Sequence, residues 1–445
     1  MKIQLPAKVS TILQTLAAEG HEAFAVGGCV RDSILGKEPG DWDITTSATP
    51  FQVKQIFERT IDTGIQHGTV TVRLNKENFE VTTYRIDGEY EDSRHPKEVK
   101  FTKKLEEDLK RRDFTVNAMA YNDEAGLIDL FGGLDDLQHQ TIRCVGDPAE
   151  RFDEDALRIL RAVRFAAQLG FRIEKDTCRA IRRMASNLVY ISVERIQTEL
   201  VKLLVSDHPE TLMQAYEMGI TAVILPEFDA CMKLVQNHPD YSYNVGEHLL
   251  KAVRLVPQDK VLRLTMLLHD AAKPVTRTTD ADGTDHFYKH AVQGERMART
   301  ILNRLRFDND TVHAVSHLIK YHDYQVAPNA RSIRRAMNQI GPEYFPCFLQ
   351  VRRADYLSQN PALIRARLEK LAQINSLYET VLEKRQCVIL QDLAVDGKDL
   401  LAIGYPQGRL VGEALRKLLN MVLDNPEYNN REYLLERASE FLRDA

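Results

Sequence analysis

At 445 residues the chain is too long for one compact core and should divide into about two to four domains. An apolar content of 44% with abundant charge of both signs describes an ordinary soluble protein, and a formal net charge of −5 excludes one that grips nucleic acid by bulk electropositivity. Six cysteines without a CxxC pair, no signal peptide and no membrane-length apolar run predict a cytoplasmic protein with neither a disulfide framework nor a zinc knuckle.

Val9 to Gly20 carries apolar residues at helical spacing and ends at a glycine suited to a C-cap. The run Phe24 to Val26 reads as a buried strand that breaks at Gly27-Gly28 and hands over to a helix, Val30 to Leu35. Glycines at such a junction let backbone N–H groups, Gly28 among them, approach a phosphate. The helix N-terminus adds positive potential, and Arg31 can bring a guanidinium to the same anion. Asp41 and Asp43 flank Trp42, and on a strand both carboxylates leave from one face. Paired carboxylates beside a phosphate cradle need a cation, and Mg²⁺ takes oxygen ligands of this kind alongside substrate phosphates. Two such ions holding attacking and leaving oxygens describe nucleotidyl transfer. Taken singly, the glycine pair is a turn and Asp-x-Asp a solvated strand edge; the combination points to chemistry.

Thr49-Pro50 starts another helix, and Gly68–Leu74 with Asn78–Arg85 reads as a hairpin. Glu80, on its second strand, is either a third carboxylate on the same sheet face or an exposed cross-strand charge. Ile86 to Lys97 has lost all periodicity and reads as a mobile loop beside the site. From Leu105 to Ala120 the pattern is helical, and Asp129 to Leu137 closes the first domain with a glycine-rich turn. Beyond Gly146-Asp147-Pro148 helix is expected almost throughout. An RNA-binding surface would rest on local clusters such as Lys103-Lys104, Lys110-Arg111-Arg112 and Arg179 to Arg183.

Within Arg151 to Phe165, Asp155, Arg158, Arg161 and Arg164 fall three apart, which on one helix makes a winding charged stripe. A solvated face with an i,i+3 ion pair is the plain reading. The chemical one starts from a carboxylate that only accepts hydrogen bonds and a guanidinium that only donates. Cytosine and adenine both offer an amino group beside a ring acceptor, whereas guanine and uracil present a carbonyl beside an N–H. A fixed Asp155–Arg158 pair therefore matches C and A and leaves buried groups unsatisfied against G and U, which discriminates strongly.

Gly-Gly-x-Val-Arg-Asp followed by Asp-x-Asp resembles the nucleotidyltransferases of the polymerase β superfamily, and more narrowly the class II CCA-adding enzymes and bacterial poly(A) polymerases. Lys110 to Ala118 and Glu154 to Phe165 are similar to further motifs of that family, and Ile191 to Leu203 to the helical motif that supports them. The resemblance implies an α+β protein with a polymerase β-like mixed-sheet head followed by helical neck, body and tail. It implies template-independent CCA addition to the tRNA 3′ end from CTP and ATP. By motif position, Asp41 and Asp43 hold Mg²⁺, Glu80 aids the primer 3′-hydroxyl, and Asp155 with Arg158 reads the base. Gly28, Arg31, Arg112, Arg161 and Arg164 contact the nucleotide or its phosphates. An A-adding enzyme and a poly(A) polymerase are the rivals within the family. CC-only relatives lack the loop equivalent to Ile86–Lys97.

In the second half, His269-Asp270 follows an apolar run and precedes Lys273. With His248 and Asp355 it resembles the HD superfamily of metal-dependent phosphohydrolases, and His290 and His322 extend the ligand set. Imidazoles suit Ni²⁺ or Mn²⁺. Ala271-Ala272 departs from the common HD pattern, which has a bulky residue and Gly there. A reading from another class is an RNA-binding HD phosphohydrolase with a vestigial transferase head, against which the intact Asp41, Asp43, Arg112 and Asp155 argue. The expected layout is head 1–140, base-reading neck 141–205, connection 206–240, HD domain 241–360 and a helical tail 361–445 with a tRNA-binding role; no oligomeric state is assigned. The glycine-punctuated stretch 396–412 reads either as N–H groups presented to a tRNA phosphate or as a plain connection between helices.

Overall fold

The run Ala23–Val26 forms β1, with all four side chains buried, in a computed structural model that describes residues 2–87 and 99–443. Helix α1 (Ala7–Ala18) precedes it, and α2 (Gly28–Ile34) follows directly after Gly27, whose φ of 82° a side chain would resist. β2 (Ile44–Thr46) pairs antiparallel with β1. Asp41 to Asp43 thus lie on the extended approach to β2 and not within a strand, a correction to the sequence reading. Helix α3 (Pro50–Ile56) starts from a Thr49–Gln52 capping box with Pro50 at its first position, as the Thr-Pro signal predicts.

Next come β3 (Thr60–Gly64), β4 (Thr69–Leu74) and β5 (Glu77–Thr83). The expected hairpin is β4–β5, closed by Asn75 and Lys76 at φ 47° and 70°, the left-handed pair that a two-residue turn matching strand twist demands. β6 (Arg85–Asp87) pairs with β7 (Val99–Phe101). Of the loop expected over Ile86–Lys97, everything past Asp87 lies outside the described residues.

Helix α4 (Leu105–Lys110) ends well before Ala120, where the helical pattern had predicted continuation. The cause is a side-chain-built turn. The Asp113 carboxylate accepts from the Phe114 N–H at 2.8 Å and from Asn117 Nδ2 at 3.2 Å, bonds that compete with helical ones. The chain then enters the sheet as β8 (Met119–Asn122), followed by β9 (Gly126–Asp129). Seven strands run in the order β3-β4-β5-β2-β1-β8-β9, with β2 and β5 parallel and the remainder antiparallel. This is the mixed-sheet head of the expected α+β class. One cluster of its core packs Ile12, Leu16, Ile44, Val70, Val72 and Val81 under α1 and α3.

At α5 (Gly133–Gln138) the Asp129 carboxylate caps the Gly133 and Leu134 N–H groups, each at 2.8 Å. After the parallel pair β10 (Thr141–Ile142) and β11 (Arg172–Ile173), the chain is helical, as anticipated. The segment expected as one helix over 151–165 is two: α6 (Pro148–Glu154) and α7 (Leu157–Leu169). Between them Asp155 takes φ −147° and ψ 102°, outside the helical region. α8 (Lys175–Met184) and α9 (Val193–Leu204) complete the arrangement around the candidate base-reading residues.

Contacts divide the chain into two compact units, Met1–Asp229 and Ala230–Ala445, a division that falls inside the 206–240 connection. The second unit is helical apart from the two-residue strands Thr278–Thr279 and Asp285–His286. Its Arg409–Asp424 helix follows a Gly404–Gly408 turn, the connection expected near the C-terminus. Among the described residues no helix is long and apolar enough to cross a membrane.

Gly133 packs so tightly that an added Cβ would sit 2.3 Å from the Thr115 carbonyl oxygen and 2.9 Å from Met119 Cγ. Gly133→Ala should therefore destabilise the head by about 1–3 kcal/mol, the usual cost of overpacking, read as a lowered urea midpoint against wild type.

Candidate active site and candidate metal centre

A cleft of about 800 Å³ opens on the head sheet and is lined by Asp41, Trp42, Asp43, Thr71 and Glu80. Asp41 and Asp43 reach it from the approach to β2, Glu80 from β5, where it stands opposite Thr71. Trp42 between the aspartates turns to the core and anchors the segment. The crowded walls of the cleft raise the Asp43 carboxyl, Arg112 opposes the shift and Asp41 adds to it. Glu80 is raised by burial first and then by the charges of Asp43 and Asp41. Three carboxylates lining one cleft are a donor set of the kind a divalent cation takes.

A second group of the expected residues gathers where β1 meets α2. Arg112 lies against Gly27: a Cβ there would be 3.0 Å from Arg112 Nη1. The same guanidinium leans on Asp108 at 3.5 Å, and its buried Nε has no hydrogen-bond partner. Asp108 is fully buried, held by Arg111 at 2.7 Å and by the Thr45 hydroxyl at 3.1 Å. Burial works against its ionisation, but Arg111 and Arg112 prevail and lower its pKa. Gly28 begins α2 within reach of Arg31, which is itself buried and committed: it donates to Asn117 at 2.6 Å and pairs with Asp32 at 2.8 Å. The Cys29 thiol between them is pushed up to about 11 by burial.

The four residues of the expected stripe part company. The side chains of Asp155 and Arg158 go to different partners. At the α6–α7 joint, Asp155 caps the Leu157 N–H at 3.0 Å and takes the fork of Arg195 from α9 at 2.6 and 3.3 Å. Arg158 pairs with Glu154 and donates to the carbonyls of Arg111 at 2.9 Å and Arg151 at 3.2 Å. Arg161 forks onto the buried Asp113 at 2.6 and 2.8 Å. Burial opposes a charge on Asp113, yet Arg161 brings its pKa down to about 2. Arg164, expected nearer the phosphates, is buried: it pairs with Glu199 at 2.7 Å and lies 3.5 Å over the Phe165 ring. Arg31 and Arg161 approach the same ring at 5.2 and 5.3 Å.

In the second unit all six expected ligands converge. His248 Nε2 lies 3.1 Å from His269 Nε2 and 3.4 Å from both Asp270 Oδ2 and Asp355 Oδ1. On the other side of Asp270, Oδ1 faces His290 Nε2 at 3.4 Å and His322 Nε2 at 3.6 Å, and those two nitrogens are 3.1 Å apart. Two ligand triads thus share Asp270. Each imidazole turns its Nδ1 to a backbone carbonyl: His248 to Ser358 (3.3 Å), His269 to Met266 (2.9 Å), His290 to Phe287 (2.8 Å) and His322 to Ile319 (2.7 Å). With Nδ1 donating, Nε2 is left as the acceptor, the tautomer a metal ligand needs. Facing acceptors at 3.1 Å repel unless a proton or metal ion lies between them. Burial disfavours a proton on His248, but Asp270 and Asp355 outweigh it and push its pKa up to about 9. Lys273 holds Asp270 from behind at 2.6 Å. Among the described residues the close-set ligand groups are these two triads; the three head carboxylates share their cleft more openly.

The profile described as "Poly A polymerase head domain" matches residues 23–143, "Probable RNA and SrmB-binding site of polymerase A" residues 170–232, and a tRNA nucleotidyltransferase domain 2 profile residues 287–438. The chain is 34% identical to the CCA-adding enzyme of Enterococcus faecalis over 435 residues, covering 97% of this chain and 95% of that one. The chain belongs to the CCA-adding enzymes. The CCA-adding enzyme of Limosilactobacillus fermentum is likewise 34% identical, over the whole of both chains. The crystal structure of the Bacillus stearothermophilus CCA-adding enzyme in complex with CTP superposes with a TM-score of 0.75 at 30% identity, covering 100% of each chain.

Asp108, Asp113, Asn117, Phe165, Arg195 and Glu199 escaped the sequence reading although all but Asp108 lie inside the stretches that carry the resemblance to CCA-adding enzymes. The available signal was charge balance: a run of arginines on a largely buried helix requires carboxylates from elsewhere. Glu199→Ala, which strips the buried Arg164 of its partner, should cost about 3–5 kcal/mol, measured by chemical denaturation, with Glu199→Gln costing less.

Proposed function

We infer that this protein builds and repairs the 3′-terminal CCA of tRNA, taking CTP and ATP and releasing pyrophosphate. The observation that carries this is the meeting of Asp41, Asp43 and Glu80 in one cleft, in a chain aligned end to end with CCA-adding enzymes. Asp41 and Asp43 would hold Mg²⁺, and Glu80 stands beside the primer 3′-hydroxyl. When bound, the ions supply positive charge at the attacking and leaving oxygens. Gly28 and Arg112 receive the triphosphate. Arg31, Arg161 and Arg164, committed to Asn117, Asp113 and Glu199, act chiefly by fixing the walls around it. Asp155 and Arg158 read the base edge from two separately held positions: an acceptor for the amino group of C or A, and donors for its ring nitrogen. The cytoplasm, where tRNA and both nucleotides meet, is its place of action.

Purified protein given tRNAs lacking CCA, CA or the final A, with each nucleotide supplied separately, should extend all three. Extension of only the last would mark an A-adding enzyme, and long A tracts a poly(A) polymerase. The Asp41→Ala, Asp43→Ala double variant should retain tRNA binding and lose turnover; more than a few per cent of wild-type rate would remove the two-ion assignment.

The second unit supports a further reading, metal-dependent phosphoester hydrolysis, resting on the two triads bridged by Asp270. His248, His269, Asp270 and Asp355 would hold one ion, and Asp270, His290 and His322 another, with Ni²⁺ or Mn²⁺ suited to the imidazole-rich set. Calorimetric titration should find high-affinity Ni²⁺ or Mn²⁺ binding that the His269→Ala, Asp270→Ala variant loses together with any hydrolysis of 2′,3′-cyclic phosphodiesters, nucleotide addition being kept. A wild-type protein that takes up neither metal would leave the cluster a structural one.

A further inference from the structure

The second unit opens a cavity of about 200 Å³, lined in part by the candidate ligands Asp270, His290, His322 and Asp355. The rest of the lining brings two further carboxylates, Asp240 and Asp323, and two fixed positive charges, Arg352 and Arg367. Arg352, one turn before Asp355 on the Phe345–Leu357 helix, is buried and committed. It donates from Nη1 to the His322 carbonyl at 2.8 Å and from Nη2 to the Tyr356 hydroxyl, and it lies 3.6 Å from Asp355 Oδ2. Its place is to hold one triad's helix against the other's. Arg367, on the Pro361–Glu383 helix, is placed differently. It stands 5.7 Å over the Tyr356 ring, donates from Nη1 to Gln359 Oε1, and pairs through Nη2 with Asp240 Oδ2 at 2.8 Å. Gln359 in turn donates from Nε2 to Asp355 Oδ1 at 2.8 Å. One amide thus stands between this guanidinium and a carboxylate of the cluster.

We propose that Arg367 is the anion-binding residue of this cavity: its guanidinium receives the non-bridging oxygens of a phosphoester in exchange for the Asp240 carboxylate. This rests on the reading of the two triads as a metal-dependent phosphoester site. Imidazoles and carboxylates suit an ion, but they give a phosphoryl oxygen no permanent donor, whereas a guanidinium presents a planar pair of N–H groups matched to two such oxygens. Arginine carries five N–H donors, more than Gln359 and Asp240 take up. The pair with Asp240 is the replaceable one. Its side chains are 25% and 32% accessible, and an ion pair that open to water contributes little. A phosphate group with more charge and more acceptor oxygens therefore wins the exchange. The backbone need not move, because Asn360 donates from its N–H to the Asp240 carbonyl and from Nδ2 to the Pro239 carbonyl, each at 2.8 Å. Asp240 is thus a side-chain gate on a fixed strap. The cavity falls below the ~300–1,000 Å³ of ordinary small-molecule pockets, so it suits the phosphoryl end of a substrate whose remainder lies outside.

The test titrates inorganic phosphate calorimetrically into full-length protein loaded with Mn²⁺, in wild type, Arg367→Ala, Arg367→Lys and Asp240→Asn. Binding in the second unit is the part that the His269→Ala, Asp270→Ala variant loses. Arg367→Ala should weaken that binding about ten- to a hundredfold, the range for hydrogen bonds to a charged group, and Arg367→Lys should recover part of it. Asp240→Asn should act in the opposite direction and tighten phosphate about two- to fivefold, the worth of the exposed pair it removes. Mn²⁺ affinity and nucleotide addition to tRNA lacking CCA should stay at wild-type values in all three. If Arg367→Ala binds phosphate as wild type does, or Asp240→Asn fails to tighten it, the exchange does not occur and the proposal is overturned, while the metal site stands. If Mn²⁺ affinity falls together with phosphate affinity, Arg367 acts only through Gln359 to support Asp355, which also overturns it. A raised KM for tRNA in addition would place the guanidinium on tRNA instead. A wild-type protein that takes up no Mn²⁺ removes the phosphoester reading itself, and the role of Arg367 with it.

Discussion

Three guanidiniums converge on the ring of Phe165, and each needs a counter-group the fold must provide. Arg31 finds Asn117 and Asp32, Arg161 finds Asp113, and Arg164 finds Glu199. These partners come from α2, from the turn after α4, and from α9, while Phe165 itself sits edge-on to Phe114 at 5.7 Å. Removing positive charge from water is costly unless the hydrogen-bonding capacity is met, so the four segments are held in one relative arrangement by electrostatic necessity as much as by apolar packing. The Gly27-Gly28 turn and the Asp155 joint both hang on this lattice, so their mutual placement is set by the chain's own side chains.

The opposite sign gathers in the cleft. Asp43 and Glu80 are both raised by loss of solvent and by the neighbouring negative charges, and Arg112 opposes the shift at Asp43. The neighbouring Asp108 shows the contrast: a fully buried carboxylate with two arginines and a hydroxyl is satisfied, and it serves as structure.

Much of this was legible in the residues. The strand into Gly27-Gly28, the Thr49-Pro50 helix start and the hairpin about Asn75-Lys76 are local signals, and each is read by its own neighbourhood. β8 was not legible, because Met119, Ala120 and Tyr121 are buried in succession and carry no alternation. The break at Asp155 was hidden for another reason. Phe152, Ala156, Leu160 and Val163 keep a helical apolar pattern across it, and what interrupts the helix is a cap combined with an ion pair to a residue 40 positions away. Sequence periodicity reports which side faces the core, whereas the partner of a charge is a tertiary fact. The four histidines and two aspartates of the second unit were recognisable as a set, but the sharing of Asp270 between two triads was not.

The four imidazoles differ in how far along the chain their orientation is decided. His269, His290 and His322 each lean on the carbonyl three residues earlier, so their helix ends aim them as soon as those turns form. His248 leans on Ser358, 110 residues downstream, beyond the C-terminal end of the Phe345–Leu357 helix that also carries Asp355. One triad is thus oriented by local structure, while the other is finished only when a late part of the chain has docked. During synthesis the Asp270–His290–His322 side therefore takes its shape first, and the His248 side only once the helix carrying Asp355 has been made and has docked.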